Sequence, residues 1–400
     1  MKLTTLIALI GFSIFFASKA MADSPAPNPD EQRMWDLRNS VDNAYLRYEN
    51  STNDVDGKFW QTYRQLLTIN VPQIFSLAEK NPRSEPAFAM FSWIFTLRNY
   101  EHGPIFTNRL KSLEYLARFH GTNAGVGPMC IFIGHNWSWH WQDKPVIDFL
   151  HAVAENNSIR TNRGEAAFAL GCVNAEKADE LATFAAWGKA PFFNPMLQQG
   201  NWSHLAEWGS SQPAAEEAER AFREVIADYA DMPVLKERAT KELQALLNLS
   251  EGRTAPEIES EDVNGAPLKL SDSRGKVTVL SFWETHCDPC MQMVPAEKAL
   301  VERLKGRPFA LLGINDDPTP SMAANTMERE SMTWPTFWDG TNGSRNPISS
   351  NWNIDGWPTV YILDAHGVIR YRMDGYGNLT SNLLNGCVDE LMKELPASAQ

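Results

Sequence analysis

Only five cysteines occur in this chain of 400 residues. That is too few for a disulfide-stapled scaffold, and an odd number cannot pair completely within one chain. Basic residues are also scarce: 36 Lys and Arg stand against 49 Asp and Glu, a formal charge of −13. A nucleic-acid backbone is therefore a poor partner, because phosphate binding requires a basic face. Glycine and proline, 24 of each, are in no excess, which excludes collagen-like and low-complexity chains. After the first 22 residues no apolar run approaches the ~20 residues of a membrane span. Tryptophan, by contrast, is plentiful at 14, and implies large aromatic burial or an aromatic surface.

The first residues read as an address. Lys2 is followed by an apolar run from Leu3 to Ala17, then by Ala20-Met21-Ala22 and a polar, Pro-rich stretch. Charged start, short apolar core and small-x-small site predict a signal peptide over residues 1–22, with the mature chain exported, most simply to a periplasm. Membrane contact is then expected only if that segment is retained. Export also places the cysteines where disulfides persist.

Two domains are expected from the length. Residues 23–251 show helical period throughout, for example Phe222, Val225, Ile226 and Tyr229, and predict an all-α domain of stacked helical hairpins, loosely solenoid-like. Separate helices are predicted over Gly164–Cys172 and Ala175–Trp187. The segment His135 to Trp141, with two His flanking three Trp, reads either as an aromatic cage or metal patch or as helix-capping indoles. Composition changes at Ser250–Pro256, a turn-rich stretch that predicts a domain boundary. Residues 252–400 then alternate strand and helix: strands at Lys276–Phe282, Pro308–Ile314, Thr359–Leu363 and Val368–Arg372, and helices at Cys290–Leu304, Ser321–Glu330 and Thr380–Leu395. The whole is an α+β chain, an all-α half followed by an α/β domain with a sheet covered on both faces.

Chemistry is concentrated at Glu284-Thr-His-Cys287-Asp-Pro-Cys290, between a strand and a helix. A thiolate at a helix N-terminus meets unpaired backbone N–H groups and the positive end of the macrodipole, so its pKa falls. Two intervening residues bring the second sulfur within bonding reach, and Pro289 costs no hydrogen bond in a first turn. No second CxxC or Cys/His pair at zinc spacing is present, so no metal and no cofactor is expected. A copper chaperone would add a distant His, for which His366 is the formal candidate. Cys130 and Cys172 form the one candidate structural disulfide, against the commoner outcome of buried, unreactive thiols for these two and for Cys387.

The run Val279 to Cys290, with Pro295 beyond it, resembles the active site of exported TlpA/ResA-type thioredoxin-fold proteins. Ala255-Pro256 with Leu268–Val277 resembles that family's N-terminal hairpin. Gly356-Trp-Pro358-Thr359 with Tyr361–Gly367 resembles its cis-proline loop and last hairpin. The resemblance implies a thioredoxin-like domain over 252–400 and a thiol–disulfide oxidoreductase acting on exported proteins or a redox partner. It further implies Cys287 as nucleophile, Cys290 as resolving thiol, and Trp357 and cis-Pro358 as the substrate-binding loop. Proline suits that place, being nearly the only residue that tolerates a cis bond. Three departures stand out: Ser281 replaces the usual buried acid, Met293 replaces an acid often found three residues after the second cysteine, and His286 replaces Trp before the first. His286 and Asp288 would push the Cys287 thiolate in opposite directions, and Glu284 is a candidate proton acceptor. Two other classes stay open. A peroxiredoxin would need Pro and Thr where Leu280 and Glu284 stand. A non-catalytic binding protein would use the helical half as its surface and the α/β domain as a cap.

Overall fold

The computed structural model describes residues 27–49, 57–97, 104–135, 144–187, 210–340, 347–354, 356–374 and 378–396. The proposed signal peptide and the Trp137–Trp141 segment lie outside them. No helix among the described residues is long and apolar enough to cross a membrane. The chain divides into two compact units, Met1–Val173 and Asn174–Gln400.

The first unit is helical. Its elements are α1 (Pro29–Glu49), α2 (Lys58–Ala78), α3 (Glu85–Thr96), α4 (Pro104–His120), α5 (Gly127–His135), α6 (Lys144–Asn156) and the start of α7 (Arg160–Trp187). Neighbours pack as hairpins, α1 on α2 and α3 on α4, with α4 also against α6. In α2, Tyr63, Leu67, Val71, Ile74 and Phe75 recur at three- and four-residue intervals and are buried, the stripe that helical period demands. Asn70 on the same face is satisfied by donating to the Leu37 carbonyl and the Ser40 hydroxyl of α1. The two helices expected across Gly164–Trp187 are one, because a mid-helix Asn174 costs only a few tenths of a kcal/mol.

The second unit carries α8 (Gln212–Asp228) and α9 (Pro233–Asn248), then a small hairpin of β1 (Glu259–Glu261) and β2 (Pro267–Lys269). A five-stranded sheet follows, ordered β5-β4-β3-β6-β7, from β3 (Val277–Trp283), β4 (Phe309–Asn315), β5 (Thr336–Trp338), β6 (Thr359–Leu363) and β7 (Ile369–Asp374). β3, β4 and β5 run parallel, whereas β6 is antiparallel to both β3 and β7. The helices of this part are α10 (Asp288–Arg303), α11 (Pro320–Glu330), α12 (Pro347–Asn351) and α13 (Asn378–Glu394). All seven residues of β3 are buried, as a strand covered on both faces must be. Alternate residues divide between two cores. Val277, Val279 and Trp283 join Leu300 of α10 and Leu384, Val388 and Leu391 of α13. Leu280 and Phe282 join Ile314, Phe337, Trp352 and Tyr361 on the other face.

Composition assigns α8 and α9 to the helical half, yet they belong to the compact unit that holds the sheet. Ala245 and Leu249 pack into the core beside Leu280 and Phe282, and Asn353 donates to Glu242 at 3.0 Å. An amphipathic stripe records that one face is covered, not what covers it. A fragment beginning at Gly252 should accordingly unfold about 2 kcal/mol more easily than one beginning at Ser210, roughly the burial of one Leu side chain. Equal urea midpoints and slopes would show that α8 and α9 add nothing to this core.

Candidate functional site

β3 ends at Trp283 and the turn Glu284-Thr285-His286 delivers Cys287 to the N-cap of α10. Cys287 and Cys290 form a disulfide, S–S 2.03 Å, and the Cys290 backbone N–H points at the Cys287 sulfur at 3.1 Å. This is the helix-end donor that would stabilise a thiolate at Cys287 in the reduced protein. Cys287 retains 8% exposure and Cys290 3%, so the first cysteine is the more open of the two. Pro289 and Asp288 occupy the exposed first turn, His286 is exposed and Glu284 half-buried. The Trp357–Pro358 peptide is cis. Pro358 is buried, and half-buried Trp357 packs against the core cluster that contains both cysteines.

An acid is buried here although Ser281 and Met293 replace the two expected ones. Glu297 of α10 is 3% exposed and accepts a 2.6 Å hydrogen bond from the Ser281 hydroxyl. It lies on the buried stripe of α10 with Cys290, Met293, Val294 and Leu300, and Ser281 lies between Val279 and Trp283 on the matching side of β3. Burial pushes the Glu297 carboxyl up to about 7, with the Ser281 bond pulling weakly the other way. The signal was present in the sequence as one charged residue in an otherwise apolar helical stripe.

A second set of acids supports the loops. Asp317, just past β4, accepts from the Thr285 backbone N–H at 2.9 Å and the Thr285 hydroxyl at 2.6 Å. Its neighbour Asp316 accepts from the Trp357 indole N–H at 3.0 Å and the Ser349 hydroxyl at 2.8 Å. Asp339 caps α12 by accepting from the Ile348 and Ser349 N–H groups, while burial pushes its own carboxyl up. Nothing in the local pattern Asn-Asp-Asp-Pro distinguishes these from solvent-facing turn acids.

Other candidates separate from the site. The Cys130–Cys172 disulfide is not formed: both residues carry thiols, as does Cys387. Cys130 is wholly buried, and burial, with the nearby Glu165 charge, drives its thiol far from ionisation, so it cannot readily supply the thiolate that disulfide exchange requires. Burial acts likewise on Cys387. His366 follows β6, and Leu363 pairs with Thr278 at the opposite end of β3 from Cys287. The structure therefore does not join His366 to the two sulfurs. Leu280 is wholly buried in the core on the other face of the sheet, so its position in β3 offers nothing to a peroxide at Cys287.

Residues 252–372 match the family model described as AhpC/TSA family. Among curated proteins the chain is 28% identical over 127 residues to "Thioredoxin-like protein YneN" of Bacillus subtilis (strain 168), covering 31% of this chain and 71% of that one. It is 28% identical over 124 residues to "Thiol-disulfide oxidoreductase ResA" of Geobacillus kaustophilus (strain HTA426), covering 31% and 69%. A solved "thiol-disulfide oxidoreductase from Bacteroides fragilis" aligns at TM-score 0.30 and 25% identity, over 34% of this chain and 99% of that one. The α/β part of this chain is thus similar to TlpA/ResA-type thioredoxin-fold proteins, and these likenesses support an oxidoreductase.

Proposed function

We propose that Cys287 and Cys290 are the reacting pair and that the protein exchanges dithiol for disulfide with exported proteins or with a redox partner. The observation that carries this reading is the disulfide itself, held at the N-terminus of α10 with a backbone N–H on the Cys287 sulfur. In the reduced form, the Cys287 thiolate attacks a substrate disulfide, and one substrate sulfur leaves as thiolate. Cys290 then attacks the Cys287 sulfur of the mixed disulfide, which releases the second substrate thiol and regenerates the Cys287–Cys290 bond. Two electrons pass to the substrate. The reverse sequence oxidises a substrate dithiol. Trp357 and Pro358 hold the substrate chain beside the sulfurs, with the Trp357 backbone as its pairing edge. His286, Asp288 and Glu284 modulate the Cys287 thiolate. Residues 1–22 export the chain, and the domains proposed are 23–251 and 252–400.

The test is direct. Reduced protein mixed with a small aromatic disulfide should release two thiolate equivalents per chain and recover the Cys287–Cys290 bond, seen by peptide mass mapping. Failure of wild-type protein to exchange with any disulfide would leave the binding-protein reading in its place. A peroxidase is the second reading that the sequence leaves open. Leu280 and Glu284 stand where its Pro and Thr would be, so hydrogen peroxide should oxidise Cys287 no faster than an ordinary thiolate.

A further inference from the structure

Two consecutive acids reach two different loops of the redox site. Asp317 is 1% exposed and takes both hydrogen bonds that Thr285 can offer toward it, two residues before Cys287. It is itself locked, because Asn315 donates to its carboxylate at 2.9 Å and accepts from its backbone N–H at 3.0 Å. The Trp338 indole from β5 donates to its carbonyl at 2.9 Å. Asp316 is 8% exposed. Its N–H donates to the last carbonyl of β3, that of Trp283, at 3.1 Å, and its carboxylate holds the Trp357 indole and Ser349. Ser349 is pinned in turn through its own N–H to Asp339. A buried carboxylate with each oxygen engaged is a stiff anchor, since charge-assisted bonds are roughly twice as strong as neutral ones and an unsatisfied buried charge is costly.

We propose that Asp316 and Asp317 are positioning residues that hold the Cys287 loop and the Trp357–Pro358 loop at a fixed separation, and so set a preference for peptide disulfides over small ones. The inference rests on the oxidoreductase reading of the same site. A small disulfide needs only an open, correctly placed Cys287 sulfur. A disulfide within a polypeptide must also lie along the Trp357 backbone while its sulfur meets Cys287. Distance between the two loops therefore matters to the second substrate more than to the first, as near-attack geometry requires. Asp317 acts on the sulfur's own loop and affects both substrates. Asp316 acts on the other loop and affects chiefly the peptide.

The experiment compares kcat and KM of the full chain for a small aromatic disulfide and for a ten-residue disulfide-bonded peptide. Asp316→Asn offers one acceptor oxygen where two donors converge, so the peptide kcat/KM should fall about 10-fold or more, mostly through KM, with a several-fold smaller loss on the small disulfide. Trp357→Phe removes the indole donor alone and should shift the substrate ratio in the same direction. The pair combined should lose much less than the product of the single losses, because both changes weaken the same Asp316–Trp357 bond. Asp317→Asn should lower both substrates by similar factors, and Thr285→Val, which deletes only the hydroxyl bond, should do so more weakly. Melting temperatures taken in parallel separate positioning from folding. If the Asp316 and Trp357 variants lose thermal stability but keep the wild-type peptide-to-small ratio, if the Asp317 variant leaves both substrates unchanged, or if the Asp316 and Trp357 changes simply multiply, the positioning role is overturned. Wild-type protein that exchanges with neither substrate would overturn the oxidoreductase reading, and this inference with it.

Discussion

Replacing Cys290 with Ser should turn the protein into a covalent trap. Attack survives in this variant, because the groups that favour a Cys287 thiolate are unchanged. The sulfur still caps α10, and the backbone N–H of residue 290 still points at it. Resolution does not survive, since the only neighbouring sulfur able to attack the mixed disulfide is gone. Multiple turnover should fall to background while adducts reducible by dithiothreitol accumulate. Cys287→Ser should lose both turnover and adducts, because the remaining cysteine, Cys290, is 3% exposed and lies inside the first turn of α10. Mass spectrometry of the adducts formed in the cell that makes the protein would name the native substrate. Adducts on Cys287→Ser and none on Cys290→Ser would reverse the two roles.

The second large effect is on stability, at Glu297. Its folded pKa of about 7 is raised above the ordinary 4.5 by burial. Between those values the native state holds a proton that the unfolded state has released, so stability falls as pH rises through this window. Below about pH 4.5 both states are protonated and the group is neutral in effect. Above about pH 7 the native carboxylate is charged and buried, at a cost of about 3 kcal/mol, from the pKa difference. Glu297→Gln keeps an acceptor for the Ser281 hydroxyl and removes that ionisation. Urea unfolding with the disulfide intact should show equal stability of variant and wild type near pH 4.5. By pH 8 the variant should be more stable by about 3 kcal/mol. Parallel pH profiles for the two proteins would show that the Glu297 ionisation costs nothing.

Much of this site was legible along the chain because its signals are local. A CxxC between a β-branched apolar run and a helical period can only be a strand-to-helix junction, and the observed β3, Cys287 and α10 follow in that order. Gly-Trp-Pro-Thr ahead of an apolar five-residue run marks a loop entering a strand, which is β6. Three-residue strands such as β5 and β1 carry too few residues for a two-residue period to register. Ser281 alone looked like a missing acid, since nothing in β3 tells which residue of α10 it faces.

The sequence by itself determined the order of the longer strands and helices after residue 252, the helical pattern before them and the pair of sulfurs, all properties of residues within a turn or two of each other. Only the tertiary structure decided that Glu297 closes on Ser281, sixteen residues away, and that Asp317 holds Thr285 at a separation of 32 and Asp316 holds Trp357 at 41. It also decided that Leu249 of the helical stretch completes the sheet's core. Propensity and period act over a few residues, whereas a buried carboxylate chooses its partner by which donors the packed strands and loops bring within hydrogen-bond distance.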